Sequence, residues 1–385
     1  MAVLAANIFV SAPLAILVVV YSHLGTYGES AKLGTALAYI GPLYLLLSMQ
    51  HGVGILSGTR TPGQVAAIRL KSVPAFMLAA SAIAWALREP MVVLAGAFRL
   101  ADFLYEPYFY GRMQAQDRRA LVLSSLGRLL AFVAALALTQ FVGFDLYAAM
   151  MIVVLVNGAV TLRPFFRVFE SVSESSMSGV DFLLGTAACV ASITMNVPRY
   201  FLVRSEPSQL AAYSNILTLV MAGTLLFISF NNSFLAKCAQ RGRIGIRSFY
   251  WKSIVLFSLA MVGSAGLLLG DDALARIFVR YALGGAYLDF YRLVFPFSLL
   301  YCFLYLQNVI NNVFVYLQVG KITVVCNFVL ILLFIFGFQY SSVSMNAERA
   351  ILVADVAMAI FLVFAALSSV MMLRDGSPVR RAELE

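Results

Sequence analysis

Residues 2–21 read AVLAANIFVSAPLAILVVVY and contain no charged side chain. A helix needs roughly 20 such residues to cross the hydrocarbon core of a bilayer. Comparable apolar runs recur to the end of the chain, separated by short polar connections. We therefore predict an all-α, polytopic membrane protein with about 12 transmembrane helices. The predicted spans are 2–21, 33–57, 72–88, 90–112, 120–143, 145–166, 179–203, 209–236, 250–270, 290–319, 321–339 and 349–373.

The composition agrees with this prediction and excludes several classes of protein. Hydrophobic residues make up 62% of the chain and charged residues 12%, against roughly 45–50% and about 25% in soluble domains. The four cysteines are scattered and there are only two histidines. No P-loop, nucleophile elbow or HExxH motif occurs. We expect a protein that is not an enzyme and holds no metal or cofactor.

The net charge of +9 follows the predicted topology and does not call for nucleic acid. Most basic residues fall in the even-numbered connections, including one that holds Arg60, Arg69 and Lys71. The positive-inside rule places these connections and both termini in the cytoplasm. Two connections are longer. We expect the basic segment 237–249 to form a short helix on the inner leaflet, and residues 271–291 to lie on the outer surface.

A polar segment, SVSESSMS at 171–178, divides the chain into two sets of six spans. We predict an N-terminal six-helix lobe at 1–170 and a C-terminal six-helix lobe at 171–385. The end of span 4, at 110–114, faintly matches the end of span 10, at 314–318. Many transporters are built from two such repeats with the binding site between them.

Several ionisable residues lie inside predicted spans, where such groups usually face the bundle interior or a wet cavity. Arg99, Asp102 and Glu106 fall within about 80° of arc on span 4. Arginine suits a phosphate ligand because its planar fork binds phosphate oxygens in pairs. The others are Arg128 on span 5, Asp181, Asn196 and Arg199 on span 7, and Asp355 on span 12.

Each of these residues also has a structural interpretation, and both stay open. Arg128 lies about as far after the span 4–5 turn as Glu106 lies before it, so the two are candidates for a helix–helix ion pair. Asp181 and Arg199 lie near opposite ends of span 7, where each is able to reach the interface. Asp355 either bonds to a neighbouring helix or takes part in coupling, and the asparagines are able to join helices.

Two segments carry a family resemblance. Residues Arg99-x-x-Asp102-x-x-x-Glu106-x-x-x-Tyr110-Gly111-x-x-Gln114, with Arg128 on the next span, resemble spans 4 and 5 of the Wzx-type polysaccharide flippases of the multidrug/oligosaccharidyl-lipid/polysaccharide (MOP) superfamily. Asn196-Val197-Pro198-Arg199-Tyr200-Phe201 is similar to the span 7 segment of that family. The motif match covers about 60 residues.

The resemblance implies two six-helix lobes around a central cationic cavity. It implies transport of an undecaprenyl-pyrophosphate-linked oligosaccharide from the inner to the outer leaflet of the bacterial inner membrane, driven either by an ion gradient, with H+ or Na+ as coupling ion, or by the membrane potential. A polysaccharide polymerase and other assembly proteins are expected partners. On this view the substrate is held by Arg99, Arg128, Arg199, Asn196 and Gln114. The candidates for coupling or gating are Asp102, Glu106, Asp181 and Asp355.

Three other functions stay open. A multidrug antiporter of the same superfamily would favour carboxylates and aromatic rings over arginine, because its substrates are cationic. A membrane glycosyltransferase or polymerase generally needs a larger extramembrane loop than the one near Asp271 and Asp272. A scaffold of an export complex would not transport, so it would tolerate substitutions in the cavity.

Overall fold

The computed structural model describes residues 2–49, 51–56, 60–143, 145–169, 179–239, 242–269, 272–316, 320–340 and 346–374, and these residues form helices and no strand. The helices are α1 (Ala2–Leu24), α2 (Tyr27–Ser48), α3 (His51–Leu56), α4 (Pro62–Leu87), α5 (Met91–Gln114), α6 (Arg118–Val142), α7 (Leu146–Phe169), α8 (Gly179–Leu202), α9 (Pro207–Ala239), α10 (Gly242–Leu269), α11 (Ala273–Ala282), a 3-10 segment (Gly285–Leu293), α12 (Val294–Tyr316), α13 (Gly320–Tyr340) and α14 (Ala347–Arg374).

The all-α membrane fold is confirmed. Within the described residues every helix except α3, α11 and the 3-10 segment is at least 21 residues long, which leaves twelve long helices for the predicted dozen. By length and composition, seven helical segments of the described chain are apolar enough to span a bilayer. The helix α5 is not among them because it carries ionisable residues. Half of its 24 residues are nevertheless buried.

Some predicted helix boundaries were wrong. Span 2 was placed at 33–57, but α2 begins at Tyr27 and ends at Ser48. The Thr26 and Glu29 side chains form a reciprocal capping box that starts this helix. The basic segment 237–249 does not form a separate surface helix, because its last eight residues are the first two turns of α10. The side chains of Lys237 and Arg243, and all of Arg241, lie outside the described residues.

The largest change concerns Arg69, which we had assigned to a cytoplasmic connection. Helix α4 starts at Pro62, ten residues before the predicted start of span 3. Thr61 caps the helix and accepts a bond from the Gln64 amide at 3.2 Å, while the Gln64 side chain accepts one from the Thr61 amide at 3.0 Å. Proline at the first helical position favours the same start. Arg69 is therefore two turns inside the helix and fully buried.

The chain divides into two compact units, Met1–Ala222 and Gly223–Glu385. In the first unit α5 packs against α7, α4 and α2, while α2 also packs along α8. Gly34 makes a close approach possible, since a Cβ there would lie 2.5 Å from the Ser214 Cβ. The predicted lobe boundary at 170/171 falls outside the described residues and stays a prediction.

The second unit repeats part of this packing. Its α12 contacts α10 and α14, and α13 contacts α14. In the first unit α5 likewise contacts α4 and α7, and α6 contacts α7. The third, fourth, fifth and sixth long helices of each half thus share one pattern of contacts. This shared pattern is what two structural repeats would produce.

Candidate functional site

A buried polar cluster in the first unit centres on Asp102 of α5. Its Oδ1 accepts a bond from Arg128 Nη2 of α6 at 2.6 Å, and only 4% of the Arg128 side chain is exposed. Arg128 also donates from Nε and Nη2 to the Asn157 Oδ1 on α7, at 3.0 and 2.8 Å. The guanidinium lies 4.5 Å from the centre of the Tyr105 ring. The ion pair therefore joins α6 to α5, and the bonds from Arg128 to Asn157 join α6 to α7.

Arg99 binds the other oxygen of the same carboxylate. Its Nη1 lies 3.3 Å from Asp102 Oδ2, and 27% of its side chain is exposed. The guanidinium also lies 5.4 Å from the centre of the Tyr44 ring on α2. Asp102 is thus shared by two arginines. Arg99 is the weaker partner by distance, and its side chain is partly exposed.

Glu106, one turn beyond Asp102, belongs to a different ion pair. Its carboxylate accepts bonds from Arg69 Nη2 of α4 and from the Tyr44 hydroxyl of α2. Arg69 also donates from Nη1 to the Phe103 carbonyl and lies 4.5 Å from the centre of the Phe103 ring. The candidate pair between Glu106 and Arg128 is therefore wrong, because each residue has another partner of opposite charge.

A second cluster surrounds Arg199 near the end of α8. Its Nη1 donates to Asn196 Oδ1 at 2.9 Å, and its Nη2 donates to the Ser214 carbonyl and the Thr218 hydroxyl, both at 2.8 Å. Arg199 is 6% exposed. Within the described residues no carboxylate lies within ion-pair distance of it. The dipole at the carboxyl end of α8 stabilises this charge but does not neutralise it.

Helix α2 lies between the two clusters and touches both. Tyr44 faces the α5 carboxylates, as described above. On the α8 side, the Tyr200 hydroxyl donates to the Ala38 carbonyl at 2.7 Å. A Cβ at Gly41 would lie 3.3 Å from Ser192 Oγ and 3.8 Å from Asn196 Nδ2. A shift of α2 against α8 would thus act on both polar clusters.

The remaining predicted site residues lie apart from these clusters. Gln114 is the last residue of α5, and its side chain is exposed. Asp181 is on the first turn of α8, and its side chain lies outside the described residues. Asp355 on α14 is 7% exposed, and among the described residues neither of its carboxylate oxygens has a hydrogen-bond partner. The proposed roles of these three residues stay predictions.

Comparison with solved structures identifies the fold. The chain superposes on a eukaryotic MATE transporter, AtDTX14, with a TM-score of 0.66 and 12% identity over 97% of this chain and 96% of that one. The chain has the fold of the MATE transporters. An outward-facing multidrug resistance MATE family transporter of the MOP superfamily gives a TM-score of 0.62 and 12% identity, over 96% of this chain and 94% of that one.

A third structure with this fold is described by the polarity of its binding pocket. It is a MOP superfamily transporter from Pyrococcus furiosus whose reversed binding-pocket polarity is described as suggesting a different function. The TM-score is 0.54 and the identity 14%, over 96% of this chain and 91% of that one. No family model and no curated protein sequence matches the chain. At these identities the comparisons establish the MATE fold and leave the substrate to be argued from the residues.

The sequence did not predict several members of the clusters, among them Arg69, Tyr44 and Asn157. A signal existed for Arg69, because the sequence Thr61-Pro62-Gly63-Gln64 is a capping box with proline at the first helical position. Asn157 sits alone in an apolar span, and Tyr44 resembles any aromatic residue of a buried helix. Nothing in the local sequence distinguishes these two from packing residues. In the described chain no group of His, Cys, Asp and Glu is arranged to hold a metal ion.

Proposed function

We propose that the chain is an alternating-access transporter that moves an undecaprenyl-pyrophosphate-linked oligosaccharide from the cytoplasmic to the outer leaflet of the bacterial inner membrane. The MATE fold supports a transporter. The segments that resemble Wzx-type flippases support the substrate class. A gradient of H+ or Na+ would drive the movement, and Asp355, which has no bonded partner, is the carboxylate best placed to bind the ion.

The observation that carries the proposal is the excess of positive charge in the two clusters. The two clusters contain four arginines, Arg69, Arg99, Arg128 and Arg199, and their described carboxylates are Asp102 and Glu106. A buried charge without a counter-ion costs several kcal/mol. An anionic substrate would supply the missing counter-charge. A pyrophosphate group offers several oxygens to planar guanidinium donors.

Unused donors in the clusters fit an acceptor-rich ligand. Arg128 Nη1 and Asn157 Nδ2 are buried without an acceptor, although their neighbouring atoms bond to each other. Arg199 Nε is also buried without an acceptor. A buried donor that has no acceptor costs about 1–3 kcal/mol. Rearrangement of the helices during transport would let phosphate oxygens satisfy these groups.

The competing proposal is a multidrug antiporter, since one solved structure with this fold is called a multidrug resistance MATE family transporter. A site for organic cations needs carboxylates that are free to pair with the drug. In the two clusters Asp102 and Glu106 are each engaged by arginine, and the carboxylate described without a partner, Asp355, is on α14 and belongs to neither cluster. The charge balance therefore favours an anionic substrate. A MOP superfamily transporter from Pyrococcus furiosus is likewise described as having a binding pocket of reversed polarity.

Thermal unfolding of the purified full chain in detergent tests the substrate class. Undecaprenyl pyrophosphate should raise the unfolding temperature, because a ligand that binds only the folded state stabilises it by mass action. Undecaprenol, with the same lipid and no phosphate, is the matched control and should give a smaller shift. Stabilisation by an organic cation such as ethidium, with none from the pyrophosphate lipid, would support the antiporter instead.

We also propose that both termini and the α5–α6 turn are cytoplasmic, because this turn carries Arg112, Arg118 and Arg119. In a chain whose cysteines are replaced, Ala115→Cys should resist a membrane-impermeant thiol reagent added to intact cells. Glu206→Cys, in the exposed α8–α9 turn, should react. The opposite pattern would invert the topology and reverse the proposed direction of transport.

A further inference from the structure

Helix α11 carries an apolar stripe that no other part of the described chain covers. Leu274, Ile277, Phe278 and Tyr281 follow the spacing of one helix face, with exposed fractions of 61, 52, 42 and 77%. The opposite flank is tied to the protein, since Val279 is fully buried. A third flank presents Arg276 and Arg280, which are four residues apart and both exposed. The helix thus has a packed, an apolar and a basic side.

The following 3-10 segment fixes α11 in place. Arg276 lies 4.0 Å from the centre of the Tyr291 ring, and the Tyr291 hydroxyl donates to Asp272 Oδ2 at 3.0 Å. Leu283, just after the helix, is fully buried. These contacts hold the orientation of α11, so the exposure of its stripe is a property of the folded protein.

The position of α11 along the chain decides what meets the stripe. It connects the end of α10 with the 3-10 segment that leads directly into α12. The segment from Gly285 to Val313 is apolar enough to span a bilayer. A ten-residue helix at the end of such a span lies at the level of the lipid headgroups. There an apolar stripe enters the acyl boundary, and flanking arginines meet phosphate groups.

We infer that α11 is a membrane-interface helix, in which Leu274, Ile277, Phe278 and Tyr281 insert into the headgroup–acyl boundary of the bilayer while Arg280 faces lipid phosphates. The helix lies in the leaflet where α10 ends. This inference does not depend on the transported substrate. Lipid is then the partner of the connection between α10 and α12, and this contact would hold the first residues of α12 at a fixed depth in the membrane.

Spin-label accessibility of the full chain in liposomes tests the inference. Nitroxides are attached at Ile277→Cys and, as the matched control, at Arg280→Cys, in a chain whose four native cysteines are alanine and whose thermal unfolding is unchanged. The label at position 277 should collide mainly with oxygen, which concentrates in lipid. The label at position 280 should collide mainly with a water-soluble nickel chelate, so the collision ratio should differ several-fold between the two.

Two results would overturn the inference. Dominant collision with the nickel chelate at position 277 would place the stripe in water. Weak collision with both reagents at that position would mean that protein, either a second copy or a partner, covers the stripe. Because both positions are exposed, labelling should not disturb folding.

Discussion

Replacing Asp102 by alanine is expected to destabilise the first unit by about 3–5 kcal/mol, because it leaves the buried Arg128 without a counter-ion. Arg128 would keep the neutral Asn157 oxygen and the Tyr105 ring, neither of which carries a negative charge. The reverse change, Arg128→Met, should cost less, since Asp102 keeps Arg99 as a partner. The thermal unfolding temperature and membrane abundance of the two variants measure this asymmetry.

The double variant Asp102→Ala with Arg128→Met separates the ion pair from other effects. Removing both charges together leaves no unpaired buried ion, so stability should recover most of what Asp102→Ala loses. Glu106→Ala is a useful comparison, because it removes the partner of a different arginine, Arg69, and Arg128→Met should not rescue it. Equal losses from Asp102→Ala and Arg128→Met would contradict the shared-carboxylate arrangement.

Much of the fold could be predicted from the sequence, because the thickness of the bilayer sets the length of the apolar segment in each spanning helix. The number of long helices, the ionisable face of α5 and the interior position of Arg128 and Arg199 all followed from it. The contact between Arg99 and Asp102, 3.3 Å long, could be predicted for a different reason, since residues three apart share a helix face.

The partners of these residues were less accessible, because they depend on which helices pack together. Matching Glu106 with Arg128 by distance from the turn assumed that α5 packs mainly on α6. In the structure α5 instead packs mainly against α7, α4 and α2. Glu106 therefore pairs with Arg69 of α4, and Arg128 donates hydrogen bonds to Asn157 of α7. Span boundaries set by hydropathy alone also placed Arg69 in a connection between helices. Arg69 was therefore not considered as the partner of Glu106.

The second large effect is expected at Arg99, the most exposed arginine of the two clusters. Arg99→Gln should lower the rate of lipid-linked oligosaccharide flipping at least about tenfold, because a hydrogen bond between charged groups contributes roughly 1.5–3 kcal/mol. The fold should persist, since Asp102 retains Arg128 at 2.6 Å. Membrane abundance, measured alongside flipping, distinguishes lost function from lost protein.

Arg112 provides the matched control for this experiment. It lies on the same helix and pairs with Asp117 at 2.9 Å, but at the exposed end of α5. Exposed pairs contribute little to stability, and Arg112 is remote from the clusters. Arg112→Gln should therefore leave flipping near the wild-type rate. If Arg112→Gln and Arg99→Gln slowed flipping equally, a general effect of charge would explain the result and the substrate contact at Arg99 would be rejected.

The most direct test is flipping itself, measured with the purified full chain in liposomes that contain a polyprenyl-pyrophosphate-linked oligosaccharide. A membrane-impermeant glycosidase added outside reports the fraction of substrate in the outer leaflet over time. We expect the wild-type chain to make the inner-leaflet pool accessible, whereas protein-free liposomes and the Arg99→Gln variant should leave it protected. Transport of ethidium by the same liposomes, with the oligosaccharide pool still protected, would contradict it.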